Sequence, residues 1–205
     1  MNADSNRIIL AGTVEQPLCY SHSIYGENFF NLMLAVRRRS GNVDYLPVTV
    51  SERLITHSPV TGERCRIEGQ IRTYNEYCDM KNHLRVIVFC REIQFESEEV
   101  RIPMYDRNEV DLAGFICRTP YYRVSPLGRE ICDIMLASNR THGKSDYIPC
   151  ITWGRSARFC ADLEVGSAVQ LKGRFQCRVY RKALADGRSE LRTAYEVSVV
   201  MIEMI

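Results

Sequence analysis

Residues 146–154 read D-Y-I-P-C-I-T-W-G, and this stretch decides the fold because it occurs twice. Its alternating apolar pattern is that of a strand, and it carries the only tryptophan in the chain. The earlier copy, residues 44–50, reads D-Y-L-P-V-T-V, at a spacing of 146 − 44 = 102 residues. Working outward, N-R-I-I-L-A-G at 6–12 returns as N-E-V-D-L-A-G at 108–114 with the same spacing. So do Met33-Leu34-Ala35 as Met135-Leu136-Ala137, and Gly41 as Gly143. A repeat this long, held without a gap, is a duplicated domain. Past the shared proline the copies drift: R-I-E-G-Q-I at 66–71 answers Q-L-K-G-R-F at 170–175. The final alternating runs, 84–89 and 195–200, align at 195 − 84 = 111, which predicts a longer loop before the last strand of the second copy.

A chain of 205 residues suits two domains of about 100 residues each, and 45% hydrophobic content lets each bury its own core. No apolar run is long enough to span a bilayer, and the start M-N-A-D-S-N-R lacks the layout of a signal peptide, so a cytoplasmic protein is expected. Nine cysteines, scattered and without a C-x-x-C pair, read as reduced thiols packed in strands rather than as a metal site built on Cys78 and His83. Split after Ile102, the halves carry 12 basic against 13 acidic residues and 15 against 12. The second half is thus mildly basic, which permits a polyanionic partner without demanding one.

Each half reads as five strands. In order they fall at 8–14, 29–36, 44–50, around Gly69, and at 84–89; the second set falls at 110–116, 131–138, 146–154, around Gly173, and at 195–200. Residues 156–163 look like a short helix capped by Ser156, between strands three and four, whereas 51–56 of the first half hold a weaker version. Five short strands with one helix in that position describe an all-β OB-fold, a five-stranded Greek-key barrel. The expected organisation is a first OB-fold at 1–95, a linker at 96–106 and a second OB-fold at 107–205.

Catalysis finds no foothold. His22, His57, His83 and His142 fall in turns or strand edges, outside any metalloprotease, nucleophile-elbow or phosphate-loop pattern, and no cofactor is implied. The second half instead interleaves aromatic and basic residues: Tyr147, Trp153, Arg155, Arg174, Arg178, Tyr180, Arg181 and Lys182. Unpaired bases stack on such rings while cations follow the phosphates. Alternation puts Tyr147 and Trp153 on one face with Pro149 and Ile151, and this leaves open whether that face is core or surface.

The elements N-x-x-x-L-A-G, D-Y-I-P-C-I-T-W-G and V-Q-L-K-G-R-F-Q-C-R-V-Y, in this order, resemble the bacterial single-stranded DNA-binding protein family. The resemblance covers nearly all of the second half. It implies base stacking by Tyr147, Trp153 and Tyr180, with phosphate contacts from Arg155, Arg174, Arg178, Arg181 and Lys182. In the first half Tyr45 matches Tyr147, but Ser51 and Glu52 stand where Trp153 and Gly154 would be. Tyr74 and Tyr77 are candidate substitutes on strand four. Arg37-Arg38-Arg39 is either a phosphate-binding cluster or a solvated turn running into Ser40-Gly41-Asn42.

Family members commonly assemble four OB-folds, so the resemblance implies a homodimer. The glycine-rich, acidic-tipped tail typical of the family is absent from the sequence, and recruitment of repair enzymes through such a tip is not expected. The function implied is single-stranded DNA binding without strong sequence preference. The rivals are an accessory protein of a primosome or mobile element, and an OB-fold interaction module that has lost nucleic-acid binding.

Overall fold

The computed structural model describes residues 6–78, 81–97, 100–102, 105–140, 143–183 and 188–205. The first half forms β1 (Asn6–Ile24), β2 (Glu27–Arg37), β3 (Val43–Ser51), β4 (Arg64–Cys78) and β5 (Lys81–Phe95). The second forms β6 (Arg107–Val124), β7 (Glu130–Asn139), β8 (Ser145–Trp153), helix α1 (Arg155–Ala161), β9 (Ala168–Ala183) and β10 (Ser189–Met204). In the first ring β1 pairs with β2, β2 with β3, β3 with β5 in parallel, β5 with β4, and β4 closes on β1. The second ring repeats the circuit through β6, β7, β8, β10 and β9. These are two closed OB-fold barrels in tandem.

The period-2 pattern closes each ring. Along β6, Val110, Leu112, Gly114 and Ile116 are buried while their neighbours are not. In β8, Ile148, Cys150 and Thr152 face the core. The two cores meet in one cluster that includes Ile8, Leu10, Leu46, Ile67, Val110, Leu136, Ile148 and Phe175. Gly69 and Gly173 fix register at the fourth strand, since a Cβ there would run into the carbonyl of Phe89 or of Ser198.

The barrels are joined edge to edge by antiparallel pairing of β1 with β6, in which Ile8 faces Val110. These two residues are equivalent in the repeat, so a pseudo-two-fold axis passes between them. Such an isologous contact is self-complementary, as in a symmetric dimer. The asparagine of the N-x-x-x-L-A-G motif has a structural task in both copies. Asn6 donates to the Ile71 carbonyl at 2.7 Å and accepts from its N–H at 2.9 Å, and Asn108 does the same to Phe175 at 2.7 and 2.8 Å.

Two expectations need correction, the start of the helix and the offset of the last strands. The helix begins at Arg155, not Ser156, and its N-cap is Gly154 at φ 55, with no side-chain cap bond; a turn this sharp out of β8 requires a left-handed residue. The first-half counterpart is weaker, as expected: a single 3-10 turn, Glu52–Leu54, capped by Ser51. The last strands align at 197 − 88 = 109 and not 111, because Val88 pairs with Val48 where Val197 pairs with Cys150. The strands also outrun their sequence signals: β4–β5 and β9–β10 are long hairpins reaching well past their barrels.

Candidate nucleic-acid interface

Strand β8 presents its odd-numbered side chains outward. Tyr147 is 50% and Trp153 40% exposed, while Ile151 on the same face is covered. Six residues of extended strand put the two rings about 20 Å apart. The indole stands at the surface, next to the turn where the Gly154 N–H meets the Glu130 carbonyl at 3.0 Å. Arg155 is exposed at the start of α1.

Between the two long hairpins lies a groove of about 1110 Å³. Tyr74 and Tyr180 reach it from opposite barrels, and Arg178 lines it with its guanidinium 5.5 Å from the Tyr180 ring centre. Arg178 also lies 3.5 Å from Glu196. Arg181 and Lys182 are exposed on β9 near the hairpin end, opposite Leu191 and Glu190. Tyr77 is exposed near the end of the other hairpin. Arg118 and Tyr121 line the same groove and escaped the sequence reading, because β6 continues beyond the stretch whose alternation marks it as a strand.

The seams between barrels are built on two buried carboxylates from the repeated D-Y-x-P motif. Asp44 receives the Arg38 Nε at 2.6 Å and the Cys177 N–H, from the other barrel, at 3.0 Å. Asp146 receives the Arg140 Nε at 2.7 Å, Arg72 Nη1 at 3.0 Å and the Thr73 N–H at 2.6 Å, the last two from the first barrel. Thr73 completes the bridge by accepting the Tyr147 N–H at 2.8 Å. Arg38 is therefore committed to Asp44, whose hydrogen bond raises the guanidinium above its ordinary range. Arg174 is half-buried beside Arg38; burial first, then the Arg38 charge, lowers it from the usual arginine range. Its Nε has no hydrogen-bond partner, and its Nη2 reaches Gln176 at 3.3 Å.

In the first barrel Tyr45 is 44% exposed, as its counterpart Tyr147 is. The position of Trp153 is different in kind. Ser51 is buried, bonded through its hydroxyl to the Glu27 carboxylate, and caps the 3-10 turn. Glu52 next to it holds Asn28, whose amide hydrogen bonds draw the carboxyl below its usual range. Two carboxylates thus stand where the second barrel carries an indole, one of them, Glu27, paired with Arg53 at 3.2 Å. Arg37 and Arg39 are exposed at the β2–β3 turn; the Arg37 N–H donates to Asp106 at 2.7 Å.

The histidines do not converge. His22 stacks on Phe29, His57 meets Glu63 at 2.6 Å, His83 lines the groove, and His142 lies outside the described residues. Among the described residues no group of three or more His, Cys, Asp or Glu is placed to hold a metal ion, and no helix is long and apolar enough to cross a membrane. All nine cysteines are free.

A doubled five-stranded barrel with exposed rings and guanidinium groups on its third and fourth strands defines a tandem OB-fold protein. Residues 107–205 match the model of the Single-strand binding protein family. The structure is similar to the wild-type single-stranded DNA binding protein from Thermus aquaticus, with a TM-score of 0.74. The likeness covers 98% of this chain and 92% of that one, and at 19% identity it speaks for the fold. The chain is 29% identical over 86 residues to the replication restart protein PriB of Klebsiella pneumoniae subsp. pneumoniae, covering 38% of this chain and 83% of that protein. The N-terminal domain of PriB from Thermoanaerobacter tencongensis is 43% identical over 46% of this chain and all of its own, with a TM-score of 0.41.

Proposed function

We propose that the protein binds single-stranded DNA by stacking bases on Tyr147, Trp153 and Tyr180, with Arg155, Arg178, Arg181 and Lys182 neutralising phosphates. The observation that carries this reading is the exposed Trp153 on the outward face of β8, in the half that matches the family. Stacking accepts every base because each has a π-face, so little sequence preference follows. Tyr74 and Tyr77 extend the surface into the first barrel, while the carboxylates around Ser51 make its third strand a poor place for phosphate. Protein and strand meet in the cytoplasm, and no bond is made or broken.

Titration with oligo-dT, followed by Trp153 fluorescence, tests the proposal. Quenching is expected, with log K falling with log salt at about −0.7 per phosphate contacted. Trp153→Ala should weaken binding by about 1–3 kcal/mol. Neither quenching nor a mobility shift would remove the reading in favour of a protein-interaction module. A homodimer of four OB-folds predicts a light-scattering mass twice the 23.7 kDa of the chain.

The similarity to PriB supports a second reading, in which strand binding serves a step of replication restart. The two readings share the titration result. They separate on whether saturating protein blocks or promotes the loading of further replication proteins on the coated strand.

A further inference from the structure

The two seams are equivalent in the repeat but not in charge. At the β3–β9 seam, Arg38 and Arg178 each face a carboxylate, Asp44 and Glu196, and Arg174 beside Arg38 leaves an excess of one positive charge. At the β4–β8 seam a continuous chain of hydrogen bonds runs from Arg91 through Gln70 to Arg72, then through Asp146 to Arg140. Arg72 and Arg140 share one carboxylate there, Arg91 reaches only the Gln70 amide oxygen, and among the described residues no second carboxylate bonds to any of the three. The excess of two positive charges is held in place, since Arg72 and Arg140 are anchored on a buried acid and Arg91 lies over the Phe89 ring at 5.2 Å. Arg91 is exposed, and Arg72 keeps 16% and Arg140 26% of its side-chain surface open to solvent.

Exposed tyrosines adjoin this seam on both of its strands. Tyr147 follows Asp146 directly and is tied to Thr73, and Tyr74 is two residues from Arg72 on the same face of β4, about 7 Å along the strand. Like charges gathered this closely repel one another, and an anion relieves the repulsion. Guanidinium groups are also the side chains best matched to phosphate oxygens.

We infer that Arg72, Arg91 and Arg140 form a phosphate clamp for a single-stranded nucleic acid, built from both barrels at the β4–β8 seam. This rests on the strand-binding reading above and adds a site to it. The strand stacks on Tyr147, its backbone is gripped by the clamp, and it passes to Tyr74 on the first barrel. The first half therefore contributes to binding through its fourth strand, not its third.

Arg91→Gln tests the clamp without touching the Asp146 anchor, so the thermal midpoint should stay at the wild-type value. With oligo-dT, the salt slope should fall in magnitude by about 0.7 and affinity should drop several-fold at low salt. The saturated quench of Trp153 should not change. Lys172→Gln removes the same charge from the other barrel's fourth strand, where Lys172 faces Asp111 at 3.5 Å, and should leave the slope at the wild-type value. If Arg91→Gln binds as wild type does, or if both variants lose the same amount, the clamp is wrong while strand binding stands. If wild-type protein neither quenches nor shifts, it is the strand-binding reading that fails.

Discussion

Removing the Asp146 carboxylate should reveal how firmly the barrels hold each other. The side chain is fully buried and takes one backbone N–H and two arginines, two of these three donors from the opposite barrel. In Asp146→Ala the buried Thr73 amide loses its acceptor, which alone costs about 1–3 kcal/mol. The Arg72 and Arg140 guanidinium groups are left facing each other, and breaking a buried pair costs about 3–5 kcal/mol. Both arginines retain some contact with water, so the lower part of that range, about 3 kcal/mol, is expected. With m near 1–3 kcal/mol/M in urea, the unfolding midpoint should fall by about 1–3 M. Trp153 fluorescence reports the second barrel and far-ultraviolet circular dichroism reports both, so a loosened seam should also separate the two curves. Asp146→Asn keeps an acceptor for Thr73 and should lose less. A midpoint change equivalent to under about 1 kcal/mol, within the ordinary range of surface substitutions, would refute the idea that this carboxylate locks the halves together.

Burial pushes the Cys65 and Cys90 thiols up to about 12 and Cys132 up to about 11, from an ordinary value of 9.0. Because the folded values are raised, this stability is intact below pH 9 and is lost as pH climbs from 9 towards 12, where the unfolded chain ionises first; urea midpoints at pH 8, 9.5 and 10.5 should fall in that order. In the native protein at neutral pH, iodoacetamide should modify exposed Cys19 and Cys78 well before Cys65, Cys90, Cys132, Cys150 and Cys160, and equal rates would contradict the buried placement. Asn108→Ala should destabilise the second barrel by about 1–3 kcal/mol in thermal melting, since both main-chain groups of Phe175 lose a partner.

The barrel was legible in the sequence because closure needs alternation, and alternation is visible wherever a strand has one wet face. V-D-L-A-G-F-I shows it plainly, as does D-Y-I-P-C-I-T-W. The hairpin extensions were not legible, because beyond the barrel both faces of β4, β5, β9 and β10 meet solvent and the period fades. The 109-residue offset was missed for the same reason: a run such as Y-E-V-S-V-V has no internal mark of register, whereas the close approach of Gly173 to Ser198 sets it in three dimensions. Tyr147 and Trp153 could be found because the motif carries them, though their exposure could not be read from periodicity. Arg38 looked like a surface cation because its partner Asp44 reads as a strand residue, and nothing in a linear pattern shows that this aspartate turns inward towards the second barrel. The same blindness hid Arg72 and Arg140.

Duplication places two copies of a surface under different demands, and this chain shows how they diverged. The joint needs both copies of D-Y-x-P, since each acid caps the fourth strand of the other barrel; accordingly Asp44 and Asp146, and Arg38 and Arg140, persist at a spacing of 102 residues. Strand binding makes no such demand on symmetry. Where the second copy has Trp153 and Gly154, the first has Ser51 and Glu52, a helix cap and a carboxylate bonded to Asn28. Where the second copy has Gln176 bonded to Glu196, the first has Arg72 without a matching acid on its own barrel. The charge lost from one end of the first barrel is offset at the seam, where on the proposed reading a strand leaving Tyr147 would pass next. On the proposed reading the asymmetry would order the surface: the second barrel would stack bases, the seam would hold the backbone, and the far end of the first barrel would turn the strand away.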